Sequence, residues 1–159
     1  MATMRSLKAD PENREIIITR TFDAPAALVF RMWTEAEQVA RWWAPAGCTT
    51  TVRQMDVRPG GTFRLVMHGP DGADYPVKGV YKEVSPPRRL VYTDDWDDDS
   101  KPSMPSLVTV TFDERDGKTA LTLHILCATP EDRAAMIDMG VVTGWNSCFD
   151  KLAKELAKA

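Results

Sequence analysis

The sequence predicts an α+β fold: a curved seven-stranded antiparallel sheet wrapped around a long C-terminal helix, with two short helices between strands 1 and 2. Three observations predict it. The stretch from Gly144 to Ala159 carries Trp145, Phe149, Leu152 and Leu156 at helical spacing, with Asp150, Lys151, Lys154 and Glu155 off that stripe. From Cys48 to Cys127 the chain alternates between strand-like segments and short turns, which argues for an antiparallel meander. A β-branched segment and two short helical segments precede that meander. A large final helix facing a sheet needs the sheet to curve around it, and such packing leaves a space between the two.

Each element has its own local reason. Arg14 to Phe22, with Ile16-Ile17-Ile18-Thr19, reads as the first strand. Asp23-Ala24-Pro25 reads as a capped helix start, followed by a short helix from Ala26 to Trp33. Thr34-Glu35-Ala36-Glu37 has capping-box spacing and predicts a second short helix, ended near Pro45. Strands follow over Thr50 to Val57, Thr62 to His68, Val77 to Val84 and Leu90 to Trp96. Asp97 to Pro105 reads as a polar, flexible loop. Leu107 to Phe112 and Thr119 to Leu126 flank Asp116-Gly117, a hairpin turn. Thr129 is the expected cap of the last helical region, and Gly140 and Gly144 mark where it kinks or divides.

The totals set outer bounds. The chain has 159 residues, 43% of them hydrophobic and 27% charged, with a net charge of -3. That suits one globular domain with a substantial core, expected over 14–159 behind an N-terminal tail, 1–13, taken as flexible. Basic residues are scattered without aromatic interleaving, so no nucleic-acid partner is expected. No apolar run approaches the roughly 18 residues of a membrane span, and no secretion signal opens the chain. A cytoplasmic location is the expectation. Cys48, Cys127 and Cys148 share no metal-ligand spacing and read as free thiols.

The ordered motifs carry a resemblance. They are Phe22-Asp23-Ala24-Pro25 with Val29-Phe30 and Trp33-Thr34, Trp42-Trp43-Ala44-Pro45, and Asp56-Val57-Arg58-Pro59-Gly60-Gly61-Thr62-Phe63. Further on come Gly79-Val80-Tyr81, Pro86-Pro87-Arg88-Arg89-Leu90-Val91-Tyr92-Thr93, Val108-Thr109-Val110-Thr111-Phe112, Gly144-Trp145 and Leu152-Ala153. Each is weak alone; their order and spacing from Glu15 to Leu156 resemble the START-like (SRPBCC) superfamily. Within it, the chain is similar to homologues of the activator of the ninety-kilodalton heat-shock chaperone's ATPase. The resemblance implies the helix-grip fold, a cavity, and a stress-response setting. Relatives of this kind include lipid and hormone binders, polyketide aromatase/cyclases and chaperone activators.

A cavity between sheet and helix is therefore expected, lined by some of Trp42, Phe63, Leu65, Met67, Tyr81, Tyr92, Trp96, Val108, Val110, Leu121, Leu123, Val142, Trp145 and Phe149. For any single one of these, plain core is the simpler reading; as a set, they suit an apolar or aromatic ligand. No catalytic residue is assigned. Tyr81, Glu83 and Asp138 are the polar groups weighed for a cyclase or hydrolase, with Asp56 as a possible partner of Glu83. His68 and His124 alternate out of the core, so a His-based triad has little support. Asp94 to Asp99 lacks the ligand pattern of a calcium loop and reads as solvated. No metal and no cofactor is expected. The favoured function is a binding module for an apolar or aromatic small molecule. The alternatives are a cyclase/hydrolase-type enzyme and an interaction module, with a chaperone or a second copy of the chain as partner.

Overall fold

The computed structural model describes residues 13–159. The tail expected over 1–13 lies, but for Asn13, outside the described residues. The elements run β1 (Glu15–Phe22), α1 (Ala26–Thr34), α2 (Ala36–Trp42), β2 (Thr49–Met55), β3 (Thr62–His68), β4 (Asp74–Ser85), β5 (Arg89–Trp96), β6 (Ser106–Arg115), β7 (Lys118–Cys127), α3 (Pro130–Asp138) and α4 (Val141–Lys158). All pairings are antiparallel in one seven-stranded sheet of order β1-β7-β6-β5-β4-β3-β2. The meander thus runs in chain order from β2 to β7, and β1 closes onto β7. This curved sheet with its long final helix is the α+β helix-grip fold.

Strand alternation decides the inner face. Leu121, Leu123 and Ile125 of β7, Val108, Val110 and Phe112 of β6, and Phe63 and Leu65 of β3 are all buried there. Against them α4 lays Phe149 and Leu152, both fully buried, and Leu156. Phe149 meets Phe22 edge-on at 5.7 Å between ring centroids. Trp145, expected to be buried with them, is only half-buried, because it borders open space rather than packed side chains.

Polar anchors fix the position of α4. Arg20 of β1 reaches Asp150 Oδ1 at 2.8 Å and the Asn146 carbonyl at 3.1 Å. On the other side, Lys151 Nζ donates to the carbonyls of Pro45 and Cys48 at 3.1 and 2.9 Å. The α2–β2 connection is bound a second time where the Ala46 amide donates to Ser147 Oγ. These bonds hold the helix to both ends of the sheet without filling the space under its first turns.

Two helix starts differ from the sequence expectation. Asp23 does not cap α1; Pro25 stands at the cap position, and the free Ala26 amide donates to Glu114 Oε1 at 2.8 Å. A distant carboxylate thus satisfies a donor that the local one was expected to take. The Thr34 capping box does not form either. Thr34 is still the last residue of α1, and its hydroxyl donates back to the Phe30 carbonyl at 3.0 Å. At the far end the expectation holds: Thr129 Oγ1 accepts the Asp132 amide at 3.0 Å. Gly140, at φ 84°, separates α3 from α4 in a left-handed conformation that a side chain would strain.

Candidate functional site

A cavity of about 290 Å³ lies between the sheet and the start of α4. The sheet supplies Met67 of β3, Val77 of β4, Asp94 and Trp96 of β5, Ser106 and Val108 of β6, and Ile125 of β7. The helical side supplies Trp43, Met136, Met139, Gly144, Trp145 and Cys148. Its position follows from the helix sequence. Where Phe149 and Leu152 project, the sheet is met by solid packing; where Gly140 and Gly144 stand, there is no side chain to project. A Cβ built on Gly144 would meet nothing within 4 Å.

The expected lining residues divide accordingly. Met67, Trp96, Val108 and Trp145 face this cavity. Trp42, Phe63, Leu65, Tyr81 and Tyr92 surround a second space of about 30 Å³, room for about one water molecule. Tyr81 and Tyr92 close on Phe63 with ring centroids 5.5 Å away in each case. Val110, Leu121, Leu123 and Phe149 line neither space and are fully buried core. Val142 is 40% exposed and turned away from the cavity.

The polar groups weighed for catalysis do not converge. Tyr81 sits in the smaller space, and burial pushes its hydroxyl pKa far above the ordinary range. Glu83 accepts from Ser85 and from Arg89 Nε, and Asp56 from Arg58 Nε. Asp138 is exposed at the end of α3, and Asn146 donates to the carbonyl one turn back, Val142. His68 bonds Thr51 and Asp74, while His124 bonds Glu15, all on the face opposite the cavity. Cys127, Cys148 and Cys48 are free thiols. Burial pushes the Cys148 thiol up to about 12, so it stays protonated in the cavity wall.

Asp94 is the residue that the sequence reading passed over. Composition groups it with the solvated acidic run, but the alternation Leu90, Tyr92, Asp94, Trp96 along β5 turns it inward. The residue as a whole is half-buried, while its Oδ1 is shielded from solvent and has no hydrogen-bond partner among the described residues. Burial chiefly, and the adjacent Asp95 carboxylate next, push its pKa up to about 7, against a backbone contact to Asp95 that works the other way. The Tyr92 hydroxyl is likewise driven well up, first by burial and then by the Asp94 charge.

Its neighbour has the opposite task. Asp95 accepts from Ser103 Oγ at 2.6 Å, from the Met104 amide at 2.7 Å and from the Trp96 amide at 2.8 Å. Partial burial would raise its pKa, but these bonds together lower it. The 97–105 segment is a polar loop as expected, and side-chain bonds tie it to the sheet. Asp97 pairs with Arg64 at 2.8 Å, Asp98 takes the Ser100 amide and hydroxyl, and Lys101 Nζ lies 5.4 Å from the Trp96 ring centroid. The acidic side chains therefore point to separate partners.

A sheet that grips its terminal helix and leaves an apolar chamber beside it defines a START-like domain. The chain belongs to the activator of Hsp90 ATPase homolog 1-like protein family, whose model matches residues 23–157. No curated protein matches it. Among solved structures, a Staphylococcus epidermidis protein is 31% identical, with TM-score 0.80 over 92% of this chain and 91% of that one. A Mycobacterium smegmatis protein is 29% identical, with TM-score 0.82 over 94% of both. An Arthrobacter aurescens protein shares the fold at 22% identity, with TM-score 0.87 over 96% of this chain and 91% of that one.

Proposed function

We propose that this domain binds an apolar small molecule in the chamber between the sheet and the first turns of α4. The observation that carries the reading is a cavity of about 290 Å³ walled by tryptophan, methionine and valine side chains. That volume is close to the lower end of ligand pockets, roughly 300–1,000 Å³. Methionines suit such a wall, because their unbranched thioethers repack around different shapes.

A thermal-shift screen of fatty acids, sterols, flavonoids and polyketide-like aromatics tests the proposal. A ligand that binds only the folded form stabilises it by about 2.7 kcal/mol at a hundredfold excess over Kd. Gly144→Leu is the matched control. It places a side chain in the empty space opposite the sheet and replaces a poor helix former with a good one. The shift should disappear in this variant while its unliganded melting temperature holds or rises. If neither these compounds nor apolar amines of similar size bind the wild-type protein, the binding reading fails and a protein-partner role moves ahead of it.

A further inference from the structure

We infer that the chamber selects a cationic ligand, an apolar amine whose protonated nitrogen pairs with Asp94 while its hydrocarbon body lies among Trp145, Met67 and Val108. This rests on the small-molecule reading above and names the chemical class of its occupant. Three observations converge on it. The buried Asp94 Oδ1 has no donor among the described residues, so the wall holds an acceptor that only an incoming group can satisfy. Among the described residues no lysine, arginine or histidine lines the chamber, whereas two carboxylates do. Two tryptophans, Trp43 and Trp145, add rings that attract a cation and tolerate a hydrocarbon.

The nearby cations are engaged elsewhere. Lys101 lies over the rings of Tyr75 and Trp96, and Arg64 is paired with Asp97. Lys151 donates to the Pro45 and Cys48 carbonyls, and Lys78 acts on Asp95. Asp95 is itself saturated by Ser103, Met104 and Trp96. Tyr92 stands two residues before Asp94 on β5, Ser106 is its partner across to β6, and Cys148 of α4 lines the same chamber; none of them carries positive charge. An anionic ligand would meet the Asp94 carboxylate with no compensating cation among the described lining residues, so fatty acids should rank below amines of equal size.

Isothermal titration with three indoles of similar shape tests the inference: tryptamine, tryptophol and indole-3-propionate. Tryptamine should bind about tenfold or more tighter than tryptophol, the scale of a charge-assisted hydrogen bond over a neutral one. Indole-3-propionate should bind weakest. Because the carboxyl group titrates near pH 7 and an alkylammonium stays protonated well above that, tryptamine affinity should rise from about pH 5.5 to about pH 8.5. Tryptophol affinity should stay level over that range. Asp94→Asn keeps the shape and should bring tryptamine down to the tryptophol value. The inference is overturned if tryptophol matches tryptamine in the wild-type protein, if the pH profiles of the two coincide, or if Asp94→Asn keeps the preference. Binding of neutral apolar compounds without preference for the amine leaves the binding reading standing alone. If neither the indoles nor the wider screen gives binding, both fall.

Discussion

Replacing Asp94 with asparagine should make stability less dependent on pH. The native carboxyl group holds its proton up to about pH 7, whereas in the unfolded chain it has the ordinary aspartate value of 3.8. The sign follows from proton counts. Below the unfolded pKa both states are protonated and Asp94 costs nothing. As pH rises from there, the unfolded chain releases its proton first, so unfolding is favoured with every step. The loss is complete once pH has passed the folded pKa. The gap of about 3 pH units, at roughly 1.4 kcal/mol per unit, gives a loss of about 4 kcal/mol. Solvent reaching the half-buried residue reduces that figure, so about 2 kcal/mol is the smallest difference the argument expects. Urea unfolding of wild type and Asp94→Asn at a series of pH values reads it directly. The stability difference between the two should move in favour of the variant between about pH 4 and pH 7 and then level off. A difference that stays flat across that window would refute the account of Asp94 as a desolvated carboxyl group whose Oδ1 has no partner among the described residues.

Other substitutions probe the packing that frames the chamber. Phe149→Ala removes a fully buried ring from the contact between α4 and the sheet and should cost roughly 3–5 kcal/mol in chemical denaturation; a loss near zero would mean this face is not packed core. Gly79→Ala would put a Cβ 1.9 Å from the Thr93 carbonyl and 2.4 Å from the Phe63 ring, and should destabilise by about 1–3 kcal/mol or more. An unchanged melting temperature there would contradict the close approach of β4, β5 and Phe63. Thiol counting in denaturant without reductant should find all three cysteines free, as the structure has them; a count of one would mean that two have paired.

Much of the architecture was legible because period-two alternation and a final helical stripe are strong patterns. Leu121, Leu123 and Ile125 announced the inner face of β7, and Gly140 announced a break before α4. The helix starts were less legible. Whether Thr34 caps one helix or ends another depends on how far α1 runs, and the donor at Ala26 was claimed by Glu114, 88 residues away in the chain. The chamber was legible in kind but not in place. Alternation says which side of a strand a residue faces, not what stands across from it. Val110 and Leu123 end up in solid core, whereas Val108 and Ile125, one step along the same strands, line the chamber with Gly144. Asp94 was missed for a related reason: its membership of an acidic run was weighed ahead of its place in the row Leu90, Tyr92, Asp94, Trp96.

The break at Gly140 divides the chamber's wall between two helices with unequal anchorage. α4 is fastened by its buried stripe and by Arg20 and Lys151, while α3 buries none of its residues and contributes Met136 to the rim, with Met139 just past its end. α3 is tied to the sheet by the bond from Arg133 Nε to the Glu15 carbonyl at 2.7 Å. Loosening that tether, as in Arg133→Ala, should therefore quicken loading and unloading together and leave the equilibrium between them nearly unchanged. Stopped-flow association and dissociation rates would separate the doorway from the room.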